Sequence, residues 1–268
     1  MHSSQARRAP LMLKIAVGLV MLFLTFPAAI IVLYGFTTED ALQTFPPPGL
    51  TLDWFPATLD RPDLWDALSL SLGLAAISTV IATILGLLAA SAVNRMKFGG
   101  KDAIAFLMVL PIALPGIVTG IALSSSMNVL DIDKNFWTIV AGHVTFCIVT
   151  VYNNVIARYR RMGNSQIEAS MDLGASGFET FRYIIFPGLA TSLLAGALLA
   201  FALSLDEIIV TKLLAGSQTT LPVWIYAQLS NRPRNRPITN VVAIFVLAIT
   251  FIPVALAHRW SERTSSEQ

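Results

Sequence analysis

Two neighbouring carboxylates are the first place in this sequence where side chains could do chemistry. Asp206 and Glu207 stand inside, or at the outer end of, a long apolar segment. Ionisable groups within a membrane are costly and usually face a polar cavity or a partner. The two side chains point about 100° apart on a helix, so both need not line the same path, and one of them facing a central pathway would favour a cation. The alternative is that the helix already ends there, which leaves both carboxylates solvated, with Lys212 pairing to one of them at helical spacing.

A second set of polar side chains interrupts the fourth apolar segment. His143, Tyr152, Asn153 and Asn154 are predicted to hydrogen-bond to neighbouring helices, and Tyr152 and Asn153 are also candidates for the lining of a pathway. The single cysteine, Cys147, allows no internal disulfide and no cysteine cluster for a metal. These residues contain no nucleophile, base and orienting group at a readable spacing, so the sequence predicts neither a catalytic site nor a metal site.

The elements that must position these residues are membrane helices. The chain has 268 residues, of which 55% are hydrophobic and only 13% charged, and its mean hydropathy is +0.68, which is too apolar for an ordinary soluble domain. Its apolar residues gather into stretches close to the roughly 20 residues that a helix needs to cross a bilayer. These stretches predict an all-α integral membrane protein of about six transmembrane helices, at residues 11–35, 67–93, 103–127, 136–157, 188–211 and 239–258.

The distribution of Lys and Arg predicts the orientation, because positively charged loops stay on the cytoplasmic side. With both termini inside, the cytoplasmic stretches hold most of these residues: Arg7, Arg8, Lys14, Arg95, Lys97, Lys101, Arg158, Arg160, Arg161, Arg182, Arg259 and Arg263. The outer loop around Arg232, Arg234 and Arg236 runs against the rule but is short. The predicted organisation is an N-terminus and first helix at 1–35, a periplasmic loop at 36–66, a transmembrane core at 67–260 and a cytoplasmic tail at 261–268. The acidic periplasmic loop could help to receive a cationic cargo.

The segment at residues 158–187, between the fourth and fifth helices, is neither a spanning helix nor a polar linker. Ser165 followed by Glu168 predicts a capped helix that starts near Gln166. Gly174 suits its end because glycine takes positive φ cheaply, and Pro187 marks the entry to the next spanning helix. A second, amphipathic helix between them contains Phe178, Phe181, Ile184 and Ile185. Such a projection from the membrane presents a compact surface to a soluble partner.

The residues of this segment closely resemble the EAA motif of bacterial ABC importer permeases. Glu168-Ala169-Ser170, Gly174, Ile184, Phe186 and Pro187 meet its spacing at every position, with conservative departures at Ser170 and Phe186. Further runs resemble the spermidine/putrescine branch of these permeases over roughly residues 65–258: Asp172-Leu173-Gly174-Ala175-Ser176, Gly196-Ala197-Leu198-Leu199-Ala200-Phe201, Ser204-Leu205-Asp206-Glu207 and Thr220-Leu221-Pro222.

The resemblance implies a type I ABC importer permease (MetI-like) fold whose 158–187 segment is a coupling helix that docks on a cytosolic ATPase. The contact would be formed by Glu168, Ala169, Ser170, Asp172, Leu173, Gly174, Ala175, Ser176 and Pro187. Gly99-Gly100-Lys101-Asp102 lacks the glycine and the hydroxyl residue of a phosphate-binding loop, so ATP and Mg²⁺ are expected on a separate chain.

The expected partners are a homologous second permease, two copies of the ATPase, an extracytoplasmic solute-binding protein and the lipid of a bacterial inner membrane, with no nucleic acid. The resemblance implies polyamine import. Alternatives are 4-aminobutyrate, an opine, thiamine, iron or a phosphonate as cargo, or a secondary transporter driven by an ion gradient.

Overall fold

A computed structural model describes residues 11–38, 44–95, 100, 103, 106–107, 110, 116–231 and 237–249. Over these residues the chain is built from helices: α1 Leu11–Tyr34, α2 Trp54–Leu59, α3 Pro62–Arg95, α4 Gly116–Val129, α5 Phe136–Tyr159, α6 Asn164–Asp172, α7 Gly177–Thr180, a π-helical turn Phe181–Ile185, α8 Phe186–Asp206, α9 Ile209–Leu214, α10 Leu221–Asn231 and α11 Pro237–Ile249.

Among the described residues, four helices are long and apolar enough to cross a membrane: α1, α3, α5 and the continuous helix Gly177–Asp206 that contains α7 and α8. The described parts of the third and sixth predicted segments form the shorter apolar helices α4 and α11. Residues 104–105, 108–109 and 111–115 of the third segment, residues 250–258 of the sixth, the first ten residues and the predicted tail at 261–268 lie outside the described residues. α3 begins at Pro62, earlier than the predicted residue 67, because proline suits the first turn of a helix and Asp63 interacts favourably with its N-terminal dipole.

The chain divides into two units, of which the first contains Met1–Arg61 and Ala227–Ile249. Within it, the Phe55 ring contacts the rings of Phe36 and Phe245, at centroid distances of 5.1 and 6.2 Å. The Trp54 indole N–H donates to the carbonyl of Thr37 at 2.7 Å. These contacts hold the short helix α2 in place.

The second unit contains Pro62–Tyr226, and its core lies between α3, α5 and α8. Val151 of α5 packs between two glycines: a Cβ on Gly86 of α3 would lie 2.9 Å from the Val151 side chain, and one on Gly196 of α8 would lie 3.1 Å from its Cα. Small residues allow such close approach in lipid, where van der Waals contact replaces the hydrophobic effect. Glycine also lets α4 and α9 pack closely against each other. A Cβ on Gly120 of α4 would lie 2.7 Å from the Leu213 side chain of α9.

Candidate functional site

The projecting segment between α5 and α8 begins with α6, and its N-terminus differs from the prediction. Gly163, with an extended backbone (φ −67°, ψ 139°), is the N-cap and no side chain caps the helix, so the prediction of Ser165 as the cap is wrong. The capping box lies at the next helix. The Ser176 hydroxyl accepts from the Glu179 backbone N–H at 3.3 Å, and the Glu179 carboxylate accepts from the Ser176 N–H at 2.7 Å. This pair fixes the start of α7.

α6 ends at Asp172 and, as predicted, Gly174 forms the turn that terminates it, with φ +85°. The Gly174 N–H donates to the Met171 carbonyl at 2.9 Å, and the Ala175 N–H donates to the Ser170 carbonyl at 3.1 Å. These are the two hydrogen bonds of a Schellman motif, which satisfies the last carbonyls of a helix. The turn after α6 therefore has one fixed geometry, which only glycine adopts without strain.

Gly174→Ala is expected to weaken this turn without affecting insertion into the membrane. A Cβ there meets no atom within 4 Å, so the cost is backbone strain alone, about 1–2 kcal/mol. Faster cleavage at residues 173–176 in limited proteolysis, with a several-fold loss of transport, would be the expected result. Gly177→Ala is the matched control, since Gly177 also has open space but no positive φ. Equal behaviour of the two variants would contradict the role of the turn.

One side of α6 is fixed to the rest of the second unit. Ile167 packs against the core cluster, and the Ser170 hydroxyl lies 3.0 Å from the hydroxyl of Thr180, which is fully buried. Ser170 and Ala175 are half-buried, and the other residues predicted for the contact are exposed: Glu168, Ala169, Asp172, Leu173, Gly174, Ser176 and Pro187. We define the α6 surface as Glu168, Ala169, Met171, Asp172 and Leu173. This surface contains the carboxylates of Glu168 and Asp172 and two exposed apolar side chains, Met171 (51% exposed) and Leu173 (89%).

The base of the segment is tied to α8. The Arg158 Nε donates to the Gly188 carbonyl at 2.9 Å, and a Cβ on Gly188 would lie 2.8 Å from the Met162 methyl carbon. Pro187 has no N–H, and the backbone ahead of it forms the π-helical turn, in which the Phe186 N–H donates to the Phe181 carbonyl. α6 is thus connected by side-chain contacts to both α5 and α8.

A buried polar network connects α5 to the helix break after α8. His143 is fully buried, with Nδ1 2.8 Å from the Ser204 hydroxyl and Nε2 2.9 Å from the Thr211 hydroxyl. The Thr211 hydroxyl donates its hydrogen to the Glu207 carbonyl at 2.9 Å, so it accepts from Nε2–H. In its neutral form the ring then accepts at Nδ1 from Ser204. The prediction that His143 bonds to a neighbouring helix is confirmed.

The two carboxylates after α8 lie where the helix ends. Asp206 is the last residue of α8 and is exposed, whereas Glu207 is half-buried with ψ 120°, outside the helical range. The Glu207 carboxylate accepts from the N–H groups of Ile209 and Val210, both at 2.9 Å, and so caps α9. The helix ends at Asp206, as one of the two alternatives from the sequence has it, but of the two carboxylates that it expects to be solvated only Asp206 is exposed. The ammonium of Lys212 lies over the Tyr226 ring, 4.4 Å from its centroid.

The other two pathway candidates differ in their surroundings. Tyr152 is 2% exposed and its ring belongs to the core cluster, and its hydroxyl has no hydrogen-bond partner among the described residues. Asn153 is exposed and lines a cavity of about 360 Å³. We call this the basic cavity, defined by Asn153, Asn154, Ala157, Arg158, Arg161 and Ser192.

A second cavity, of about 650 Å³, has the opposite charge. This acidic cavity is lined by Asp63, Asp66, Ala67, Ser69, Leu70, Gly73, Phe136, Gln218, Thr219 and Trp224. The Trp224 indole N–H donates to the Asp63 carboxylate at 2.8 Å. Phe136 begins α5 and Arg158 lies near its end, and the 24 residues of α5 extend about 36 Å. The two cavities therefore lie at opposite ends of a membrane-spanning helix.

Several of these residues were not identified from the sequence. Gly188 and Ser204 act through partners 30 and 61 residues away, and Thr180 through a partner 10 residues away across the turn at Gly174, and no local pattern signals such pairs. Trp224 and Gln218 come together with Asp63 only through the packing of α10 and its preceding loop on the start of α3. The acidic loop was noted as a possible receiver of cations, and the structure places two of its carboxylates in a cavity with aromatic rings.

Comparison with known proteins identifies the family. Residues 82–266 match the family of the binding-protein-dependent transport system inner membrane component. The chain belongs to this family. Membership in a family of binding-protein-dependent transport systems decides against the secondary transporter that the sequence had left open.

Two relatives from Escherichia coli strain K12 match over most of their length. The chain is 32% identical over 233 residues to the putrescine transport system permease protein PotI, covering 84% of this chain and 82% of the relative. It is also 32% identical over 207 residues to the spermidine/putrescine transport system permease protein PotC, covering 77% of this chain and 78% of that relative. Both are named as permease proteins of transport systems, in agreement with the family.

Solved structures confirm the type I ABC importer permease fold. A bacterial alginate ABC transporter, in complex with an alginate pentasaccharide-bound periplasmic protein, superimposes with a TM-score of 0.72 at 14% identity over 94% of this chain and 93% of that one. The methionine ABC transporter MetNI, in an inward-facing conformation, superimposes with a TM-score of 0.65 at 12% identity, over 76% of this chain and 98% of that one. At this identity the likeness establishes the fold alone.

Proposed function

We propose that this chain is one permease subunit of an ATP-driven polyamine importer, and that the α6 surface is where a separate ATPase docks. The exposure of that surface on a helix whose other side contacts the core is the observation that carries the proposal. The complete transporter would contain a homologous second permease, two ATPase copies that bind ATP and Mg²⁺, and an extracytoplasmic binding protein. Both termini would then lie in the cytoplasm of the bacterial cell.

The geometry supports a mechanical role for α6. Closure of the ATPase pair on binding ATP would push the α6 surface. The Ser170–Thr180 hydrogen bond and the packing of Ile167 would prevent α6 from moving alone, and the Arg158–Gly188 hydrogen bond would carry the displacement into α8. Access to the pathway would thereby alternate between the two sides of the membrane while the cargo stays chemically unaltered.

The acidic cavity supports a cationic cargo. It combines the carboxylates of Asp63 and Asp66 with the rings of Phe136 and Trp224, and both groups attract ammonium ions. The two curated relatives described above are named for putrescine and spermidine, whose protonated amines have this chemistry. With the orientation proposed here, the cavity faces the side from which a binding protein delivers cargo.

Asp66→Asn is expected to lower uptake at subsaturating polyamine about fivefold. An exposed carboxylate contributes up to about 1 kcal/mol to the binding of a cation, and removing its charge changes little else. Initial rates in proteoliposomes containing the complete transporter measure this effect. Asp60→Asn removes an exposed carboxylate that does not line the cavity and should leave uptake unchanged. A loss of equal size in both variants would contradict the role of the cavity.

The cargo itself is tested by ATP-dependent uptake of labelled putrescine, spermidine and 4-aminobutyrate in the same proteoliposomes. We expect competition between the two polyamines and no ATP-dependent accumulation of 4-aminobutyrate. Uptake of another solute without uptake of either polyamine would refute the cargo but leave the coupling role of α6 intact.

A further inference from the structure

The basic cavity lies beside the α6 segment and, apart from Arg158, its lining residues have no part in the transport cycle described above. Its walls come from two helices: α5 with the turn that follows it contributes all the lining residues except Ser192, which comes from α8. Arg158 and Arg161 are both exposed, and none of the residues that line the cavity is acidic. The cavity therefore has a positive potential that no lining carboxylate offsets.

The polar groups of the cavity can donate hydrogen bonds to an anion. A guanidinium has five N–H donors, and Arg158 uses Nε–H for the Gly188 carbonyl, which orients the group and leaves the terminal N–H groups for a ligand. Arg161, the amide of Asn153 and the Ser192 hydroxyl add further donors. Planar guanidinium groups match phosphate oxygens in two-point contacts. The chemistry is that of a site for a phosphate group.

The depth of the cavity distinguishes a lipid phosphate from a soluble one. Trp137, which is 64% exposed, stands at the other end of α5, as tryptophans at a membrane interface do. Arg158 follows it by about 32 Å along the helix, close to the roughly 30 Å thickness of the hydrocarbon layer. The arginine thus lies at the level of the opposite headgroups. With the orientation proposed above, this is the cytoplasmic leaflet, which contains the anionic lipids.

We propose that the basic cavity binds the headgroup of an anionic phospholipid between the end of α5 and the start of α8. The volume of about 360 Å³ accommodates a phosphate ester with its polar substituent. A bound headgroup would connect the same two helices that hold α6 in place. The site rests on the orientation in the proposed function, but not on the identity of the cargo.

The test compares the complete transporter in nanodiscs of phosphatidylcholine alone and of phosphatidylcholine with a minor fraction of phosphatidylglycerol. Native mass spectrometry measures the phosphatidylglycerol retained by each complex, without ATP or cargo. We expect Arg161→Gln to retain about fivefold less than the wild type. Arg160→Gln is the matched control, because it removes an exposed arginine from the same turn that does not line the cavity, and it should retain the wild-type amount.

Three results would overturn the proposal. Equal retention by the Arg161 and Arg160 variants would mean that the cavity does not select the lipid. If inorganic phosphate stabilised the complex in phosphatidylcholine nanodiscs against heat as much as phosphatidylglycerol does, the ligand would be a soluble anion instead. Uptake by Arg161→Gln that falls by the same factor in proteoliposomes of either lipid mixture, with lipid retention unchanged, would assign the cavity to the translocation pathway. If Arg161→Gln does not assemble, Ala157→Leu fills the cavity without altering charge and must also reduce retention.

Discussion

Glu168→Lys is expected to lower ATP-dependent uptake at least about tenfold while the protein still inserts into the membrane at the wild-type level. Glu168 is exposed on the α6 surface, so the substitution removes no contact of the fold. Reversal of a charge within a protein contact costs several kcal/mol, well above the 1.4 kcal/mol that corresponds to a factor of ten. The complex is expected to hydrolyse ATP without stimulation by the loaded binding protein. Uptake and ATPase rates in proteoliposomes measure the two effects.

The control for this substitution is Asp60→Lys, which reverses an exposed charge outside α6. It should leave both rates at their wild-type values. Glu168→Gln keeps the shape of the side chain but not its charge. Its uptake rate is expected to lie between those of Glu168→Lys and Asp60→Lys. Normal uptake in Glu168→Lys would show that this carboxylate has no role in coupling.

Gly196→Leu is expected to prevent α5 and α8 from packing. A Cβ at Gly196 would lie 3.1 Å from the Val151 Cα and 3.3 Å from the Asn154 Cβ, so a larger side chain has to displace backbone. Overpacking of this kind typically costs about 1–3 kcal/mol, and a backbone neighbour relaxes less than a side chain. We expect less protein in the membrane fraction and a midpoint of thermal unfolding lower by at least about 5 °C.

Gly18→Leu provides the comparison for this experiment, because a Cβ at Gly18 of α1 meets no atom within 4 Å. Its thermal midpoint and membrane level should match the wild type. Gly196→Ala is expected to lie between them, since a single methyl requires a shift of only a few tenths of an ångström. A Gly196→Leu protein as stable as the wild type would refute the close packing of the two helices.

The sequence was sufficient for features that depend on local chemistry. Apolar segments of spanning length predicted the long helices, because the bilayer sets that length. Gly174 was recognised as a helix end because only glycine takes positive φ cheaply, and it has φ +85°. The family motif indicated the segment between α5 and α8 as the candidate contact with a partner.

The N-terminus of α6 shows where local patterns become ambiguous. Ser165 with Glu168 and Ser176 with Glu179 both have the spacing of a capping box, but only the second pair forms one. Ser176 has an extended backbone after the turn at Gly174, whereas Ser165 lies in a turn that is already helical. The choice depends on backbone geometry that the spacing alone does not contain.

Contacts between distant parts of the chain account for most of what the sequence did not predict. The His143 network requires α5, the end of α8 and α9 to meet, and the Ser170–Thr180 hydrogen bond requires the chain to reverse after Gly174. The function of Glu207 as the cap of α9 follows from a helix break whose position was uncertain by several residues. Periodicity identifies helices but not the pairs of helices that pack together.

The central claim, that the α6 surface contacts the ATPase, is tested most directly by cross-linking. Cys147 is the single cysteine of this chain and is fully buried. A cysteine introduced by Ala169→Cys is therefore the accessible thiol of this subunit. In the complete transporter this cysteine should form a cross-link to the ATPase whose yield changes when ATP is added. Ala57→Cys, at an exposed position on α2, should form none. A yield at residue 169 no higher than at residue 57 would contradict the account.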